Sequence, residues 1–223
     1  MDLAQFYGVA QFLSLSVVLV LTKDATYPSS MMLIWRNFTA MLIIPLFYGL
    51  SRPAEVLTRY LVNTNFMGLE HHLVFWGNAV IATAGFVGVY QFLSNSSVFI
   101  PNSRPYVDFE NGYNGETQSA TLLFVSIIPV FLFMGVFIYR SSPWKEPFYK
   151  NIALTILFVL NFIQMFLLFF GTKYLSFLGC IEIPVKEAGI CLGIMLGTMV
   201  VDGLYNLVIE KMAFHEKEEE GMH

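Results

Sequence analysis

"YRSSPWKEPFYKN", residues 139–151, lies between two apolar runs, 120–139 and 152–171. Each run is long enough to cross a bilayer, whose hydrocarbon core takes about 20 apolar residues of helix. Arg140, Lys145 and Lys150 hold such a connector on the cytosolic side, while Tyr139, Trp144, Phe148 and Tyr149 can seat at the interface. Pro143 and Pro147 stop either helix from continuing across it. The stretch therefore predicts two spanning helices joined by a basic cytosolic turn.

The rest of the chain extends the pattern. Of 223 residues 56% are hydrophobic and 13% charged, 22 are Phe, and the mean hydropathy is +0.63. A soluble domain carries about 25% charged residues, so this chain is not built to be wetted all round. The expected fold is all-α: a polytopic membrane protein, one domain over 1–223, with a bundle of six transmembrane helices. The spans fall at 5–22, 31–50, 73–94, 120–139, 152–171 and 189–210. Met1-Asp2-Leu3 gives no positive flank before the first apolar run, so that run is expected to be retained as a span.

An even number of spans puts both termini on one side. Arg52, Arg59, Arg140, Lys145, Lys150, Lys211 and Lys217 share that side, against Lys23, Arg104, Lys173 and Lys186 on the other. The excess predicts cytosolic termini. It also places the 94–119 connector in the lumen or outside, where Asn95-Ser96-Ser97 is a candidate glycosylation sequon. In the first cytosolic loop, Val56, Leu57, Tyr60 and Leu61 have helical spacing and suit a short surface helix. Six of the sixteen acidic residues lie from Asp202 onward, which makes 211–223 an acidic cytosolic tail. With a net charge of −4 and no basic cluster, the partner expected is the lipid bilayer and not nucleic acid.

Chemistry inside the spans is confined to a few polar residues, because a charge at the bilayer centre costs at least about 2.5–3.5 kcal/mol. The candidates are Arg36, Asn37, Asn78, Gln91, Asn161, Gln164, Asp202 and Asn206. Arg36 and Asp202 have opposite charge, but at about 1.5 Å per residue they differ in height by about 12 Å. Arg36 is accordingly expected to snorkel to luminal water. Asp202 and Asn206 share a helix face one turn apart. They read either as a proton or cation site or as a polar contact between helices, and one carboxylate alone makes a poor cation cage. Gly189, Gly193 and Gly197 recur every four residues, which predicts close approach of another helix. Pro45 and Pro129 are expected to kink their helices. Cys180 and Cys191 have no CxxC or His/Cys context and read as packing residues, with a disulfide as the alternative. The adjacent His71 and His72 read as interfacial. No Walker loop, HExxH or nucleophile elbow occurs, so no catalytic residue, metal site or cofactor is expected.

The order of these segments resembles a known family. "SATLLFVSIIPVFLFMGVFIYRSSPWKEPFYKN" is similar to the eighth membrane helix and following loop of type V P-type ATPases, the polyamine and cation-transporting branch. "QFLSLSVVLVLT" resembles the fifth helix, "SRPAEVLTRYL" the loop after the sixth, "CIEIPVKEAGI" the entry to the tenth and "DGLYNLVIEK" its end. The resemblance runs from about Gln11 to Lys211 and equates the six spans with the fifth to tenth helices of that family. The Asp-Lys-Thr-Gly-Thr phosphorylation motif does not occur in the sequence. In "LIWRNFT", Arg36 stands near where the family places an acidic residue, and a guanidinium there would repel a cation.

The resemblance implies an internal, endosomal or lysosomal-type membrane and other membrane subunits as partners. The first expectation is a non-catalytic structural or accessory subunit of a larger membrane complex. A second is one piece of a cation or polyamine pump, whose ATPase domains lie on a separate chain or in sequence missing from an incomplete gene assignment. A third is a small ion channel or proton-coupled carrier using Asp202, Asn206, Asn161 and Gln164.

Overall fold

The computed structural model describes residues 2–23, 28–39, 68–96, 118–138 and 148–220. These residues are all-α, with six α-helices in chain order: α1 (Asp2–Lys23), α2 (Ser30–Arg36), α3 (Leu69–Ser94), α4 (Gln118–Ile138), α5 (Ile152–Phe170) and α6 (Val185–Glu220). Four of them, α3 to α6, are long and apolar enough to cross a membrane, and the chain is accordingly a polytopic membrane protein. The first expected span is a helix with a shorter apolar stretch, Phe6–Leu21. The second is described only from Ser30 through a π-helical turn at 37–39. Its remainder with Pro45, the candidate surface helix at 56–61, most of the 94–119 connector and residues 139–147 of the basic turn lie outside the described residues.

Local chemistry fixes the helix starts. Ser29 Oγ accepts a hydrogen bond from Met32 N (3.1 Å) at the head of α2. Asn151, the last residue of the connector, accepts from Leu154 N (3.1 Å) through Oδ1 and caps α5. Pro184 stands immediately before α6, a position where its missing N–H is harmless. Pro129 lies inside α4, which continues through it as one helix.

The packing makes α4 the axis of the bundle. In α4, 89% of the spanning window is buried inside the protein, against 22% in α5 and 28% in α6. Helices α1, α3, α5 and α6 all pack on α4. On the outer side of α5, Ile156, Val159, Leu160, Ile163 and Leu167 are exposed, an apolar surface suited to lipid. Its inner side stacks Phe158 and Phe162 edge-on to Phe133 of α4, with ring centroids 6.1 and 6.3 Å away.

One end of the bundle is sewn together by the α5–α6 connection. Ser29 Oγ of the α2 cap donates to Leu178 O. Gln118 Nε2 at the head of α4 donates to Glu182 O (2.9 Å), and Thr121 Oγ1 accepts from Ile181 N (3.3 Å). Within the connection, Thr172 Oγ1 accepts from Ile183 N (3.2 Å), and Gly179 turns the chain at φ 74°, a left-handed conformation that favours glycine. The heads of α2, α4 and α6 therefore share one end, as alternating spans require.

Helices α3 and α6 run antiparallel and form the most extensive interface among the described helices. Tyr205 lies against Gly77, Thr198 against Gly85 and Ile194 against Gly88. The sequence expectation for close packing is corrected here. A Cβ added at Gly189, Gly193 or Gly197 would meet nothing within 4 Å among the described residues, so these glycines do not form the approach surface between the described helices. The reason is the direction of α6: Ala188, Cys191, Leu192, Met195, Met199 and Asp202 occupy its buried face, which turns the glycines outward. α6 continues as helix through Glu220, over most of the acidic tail.

A Cβ at Gly85 would overlap the Thr198 side chain, which is β-branched and tied by Oγ1 to Ile194 O (2.9 Å). Gly85→Ala is expected to destabilise the purified chain by about 1–3 kcal/mol through overpacking. Gly193→Ala is expected to be neutral or to stabilise by up to about 1 kcal/mol through helix propensity. Thermal unfolding of both variants in one detergent checks the contrast.

Candidate functional site

The α3–α6 seam carries the densest grouping of the expected polar residues. Asn206 Nδ2 donates to Asn78 Oδ1 (2.7 Å), and Asn78 Nδ2 donates back to Asn206 Oδ1 (3.3 Å). The remaining amide hydrogens go to each residue's own helix, from Asn78 to Val74 O (2.6 Å) and from Asn206 to Asp202 O (2.8 Å). All four N–H donors of the two side chains are therefore used, and each amide oxygen accepts one bond of the two it can take. Tyr205, beside Asn206, donates its hydroxyl to Leu73 O (2.8 Å), so a second link crosses the same seam.

Asp202 is one turn from Asn206 and 2% exposed. Its Oδ1 is buried and has no hydrogen-bond partner among the described residues. Trp35 Nε1 and Thr83 Oγ1 share that condition, but neither carries a charge. A buried carboxylate without a counter-charge is a costly arrangement in a low-dielectric interior.

Arg36 does not supply the counter-charge. Its Nε and Nη2 both donate to Asn37 Oδ1 (3.2 and 3.0 Å), and its Cζ lies 6.0 Å from the centroid of the Phe131 ring. The expectation that Arg36 snorkels to water is corrected, since the residue is only 8% exposed. A neighbouring amide oxygen and an aromatic face give the guanidinium local partners, so the side chain need not extend to the interface.

The other candidates do not join this grouping. Asn161 is buried and donates Nδ2 to Leu157 O (2.9 Å) of its own helix. Gln164 is half-buried on α5 and Gln91 is exposed near the end of α3. Asn95 follows α3 directly, is exposed, and donates Nδ2 to Gln91 O (2.9 Å). His71 is buried while His72 is exposed, so the pair divides between two environments. Cys180 and Cys191 are both buried and are not joined in a disulfide. Among the described residues no group of three or more His, Cys, Asp or Glu side chains is placed to hold a metal ion.

Gly77, Gly85, Thr198 and Tyr205 complete the seam and were not singled out from sequence. The available signal was the density of small residues in "GNAVIATAGFVG" (77–88), whose glycines lack the regular four-residue spacing of those at 189–197. Neither the comparison with protein-family models nor that with curated proteins finds a match.

The reciprocal amide pair makes a direct prediction. Asn78→Leu or Asn206→Leu leaves the partner amide buried and unpaired, and each is expected to cost about 1–3 kcal/mol. The double variant is expected to be less destabilised than the sum of the two, with a coupling of about 0.6–1.7 kcal/mol, the range of side-chain hydrogen bonds between membrane helices. A double-mutant cycle on unfolding in detergent measures it.

Proposed function

We propose that this chain is a non-catalytic, membrane-embedded structural subunit of a larger membrane complex, resembling the C-terminal membrane half of a type V P-type ATPase. The observation that carries the proposal is how the intramembrane polar groups are used. Asn78 and Asn206 bind each other across the α3–α6 seam, Asn161 binds its own helix, and Arg36 binds Asn37. Side chains committed in this way fix helix positions and leave few groups to line a path for a polar substrate. The order of segments along the sequence supports the relation to the ATPase family. The phosphorylation motif of that family does not occur in these 223 residues, so any coupling to ATP would come from sequence beyond them. Arg36, near the family's acidic position, further disfavours a cation path along α2.

Purification from native membranes in mild detergent is expected to bring down a stoichiometric membrane partner. Migration as a monomer with no such partner overturns the subunit reading. Recovery of a partner bearing Asp-Lys-Thr-Gly-Thr would instead make the chain one part of a divided pump. Proteoliposomes of the chain alone are expected to show no cation flux, and flux that falls in Asp202→Asn would establish a carrier.

A further inference from the structure

The α5–α6 connection, residues 171–184, has two faces. Thr172, Leu178, Cys180 and Ile183 are buried on its inner face, where the segment is tied to the heads of α2 and α4. Its outer face carries large rings: Tyr174 is 83% exposed and Phe177 62% exposed. Two consecutive 3-10 turns close their own backbone, with Tyr174 N donating to Gly171 O (2.9 Å), Leu175 N to Thr172 O (3.0 Å), Leu178 N to Leu175 O (2.9 Å) and Gly179 N to Ser176 O (2.9 Å). These N–H groups need no water, which lets the segment sit at the edge of a bilayer.

The direction of Phe177 decides what this face meets. Ser29 Oγ bonds Leu178 O at the head of α2, yet the Phe177 ring lies edge-on to Trp35, with centroids 6.3 Å apart. Trp35 is six residues beyond Ser29, about 9 Å further along α2. Phe177 is thus turned back from the connection along the outside of the bundle. Leu167 and Phe170, at the end of α5, are exposed as well, so the lipid-facing side of α5 runs on into the connection.

We propose that this connection is an interfacial anchor whose partner is the phospholipid leaflet at the end of the bundle where α2, α4 and α6 begin. Phe177 enters the acyl-chain boundary, and Tyr174 sits at headgroup level with its hydroxyl toward water. Lys173, exposed beside Tyr174, extends its ammonium to the lipid phosphates. The hold is passed to α2 through Ser29 and to α4 through Gln118 and Thr121, which fixes the depth of the bundle in that leaflet. The proposal does not depend on a partner subunit, because the ties and the exposed rings all belong to this chain.

The test is the depth of single nitroxide labels in the full chain, reconstituted in vesicles of phosphatidylcholine and phosphatidylglycerol. Lys173→Cys, Tyr174→Cys and Phe177→Cys are labelled one at a time, and the unsubstituted chain, whose Cys180 and Cys191 are buried, gives the labelling blank. Relaxation by oxygen, which concentrates among acyl chains, is compared with relaxation by a water-soluble nickel chelate present on both sides of the membrane. The ratio of oxygen to chelate accessibility is expected to rise from 173 through 174 to 177 and to be severalfold higher at 177 than at 173. A label at 177 as open to the chelate as that at 173 overturns the proposal. A label at 177 shielded from both reagents shows a protein neighbour, a second copy of this chain, and likewise overturns it. Should Phe177→Cys fail to accumulate, the comparison of 174 with 173 decides, and equal ratios there overturn the anchor. These outcomes are read on the isolated chain, so they stand apart from whether a partner co-purifies.

Discussion

A polar side chain buried between helices in a bilayer has no water to turn to, and the α3–α6 seam is organised around that constraint. Asn78 and Asn206 satisfy each other's amides and then their own helices, using every donor they have. Such a pair is directional: it bonds at one register and at no other, whereas apolar side chains in lipid lack a hydrophobic drive to choose a partner. Gly77 and Gly85 add shape to this chemistry by admitting the Tyr205 ring and the Thr198 side chain. Register, rotation and separation of the two helices follow from these few residues together.

The remaining helices are arranged about a different requirement. α4 is the most hydrophobic segment that is also almost wholly enclosed, and its neighbours cover it on all sides. Its head is held by Gln118 and Thr121, which bond the backbone of the α5–α6 connection. That connection would otherwise expose carbonyl and N–H groups next to the apolar bundle. The proposed structural role rests on the same economy: polar groups in this molecule are used to fasten segments to one another.

Asp202 departs from that economy, and it does so beside the clamp. Its charge is what a purely structural seam would omit, since an apolar residue there would cost less.

Much of this was legible in the chain. The apolar runs at 73–94, 120–139, 152–171 and 189–210 each correspond to a helix able to span, because length and hydropathy are properties of a segment by itself. Asn78, Asp202 and Asn206 were identifiable as costly residues for the same reason. Their pairing was not, because it depends on which faces of α3 and α6 meet. The glycines show the difference most plainly: the regular set at 189–197 faces outward, while the irregular set at 77–88 makes the close approach. Arg36 shows it as well, for its height suggested an exit to water, and only the positions of Asn37 and Phe131 kept it buried. The sequence by itself determined which segments are helices in a membrane and which residues are expensive there; the tertiary structure alone decided which helix faces meet and hence how each expensive residue is satisfied, because rotation about a helix axis is set by neighbours and not by the helix.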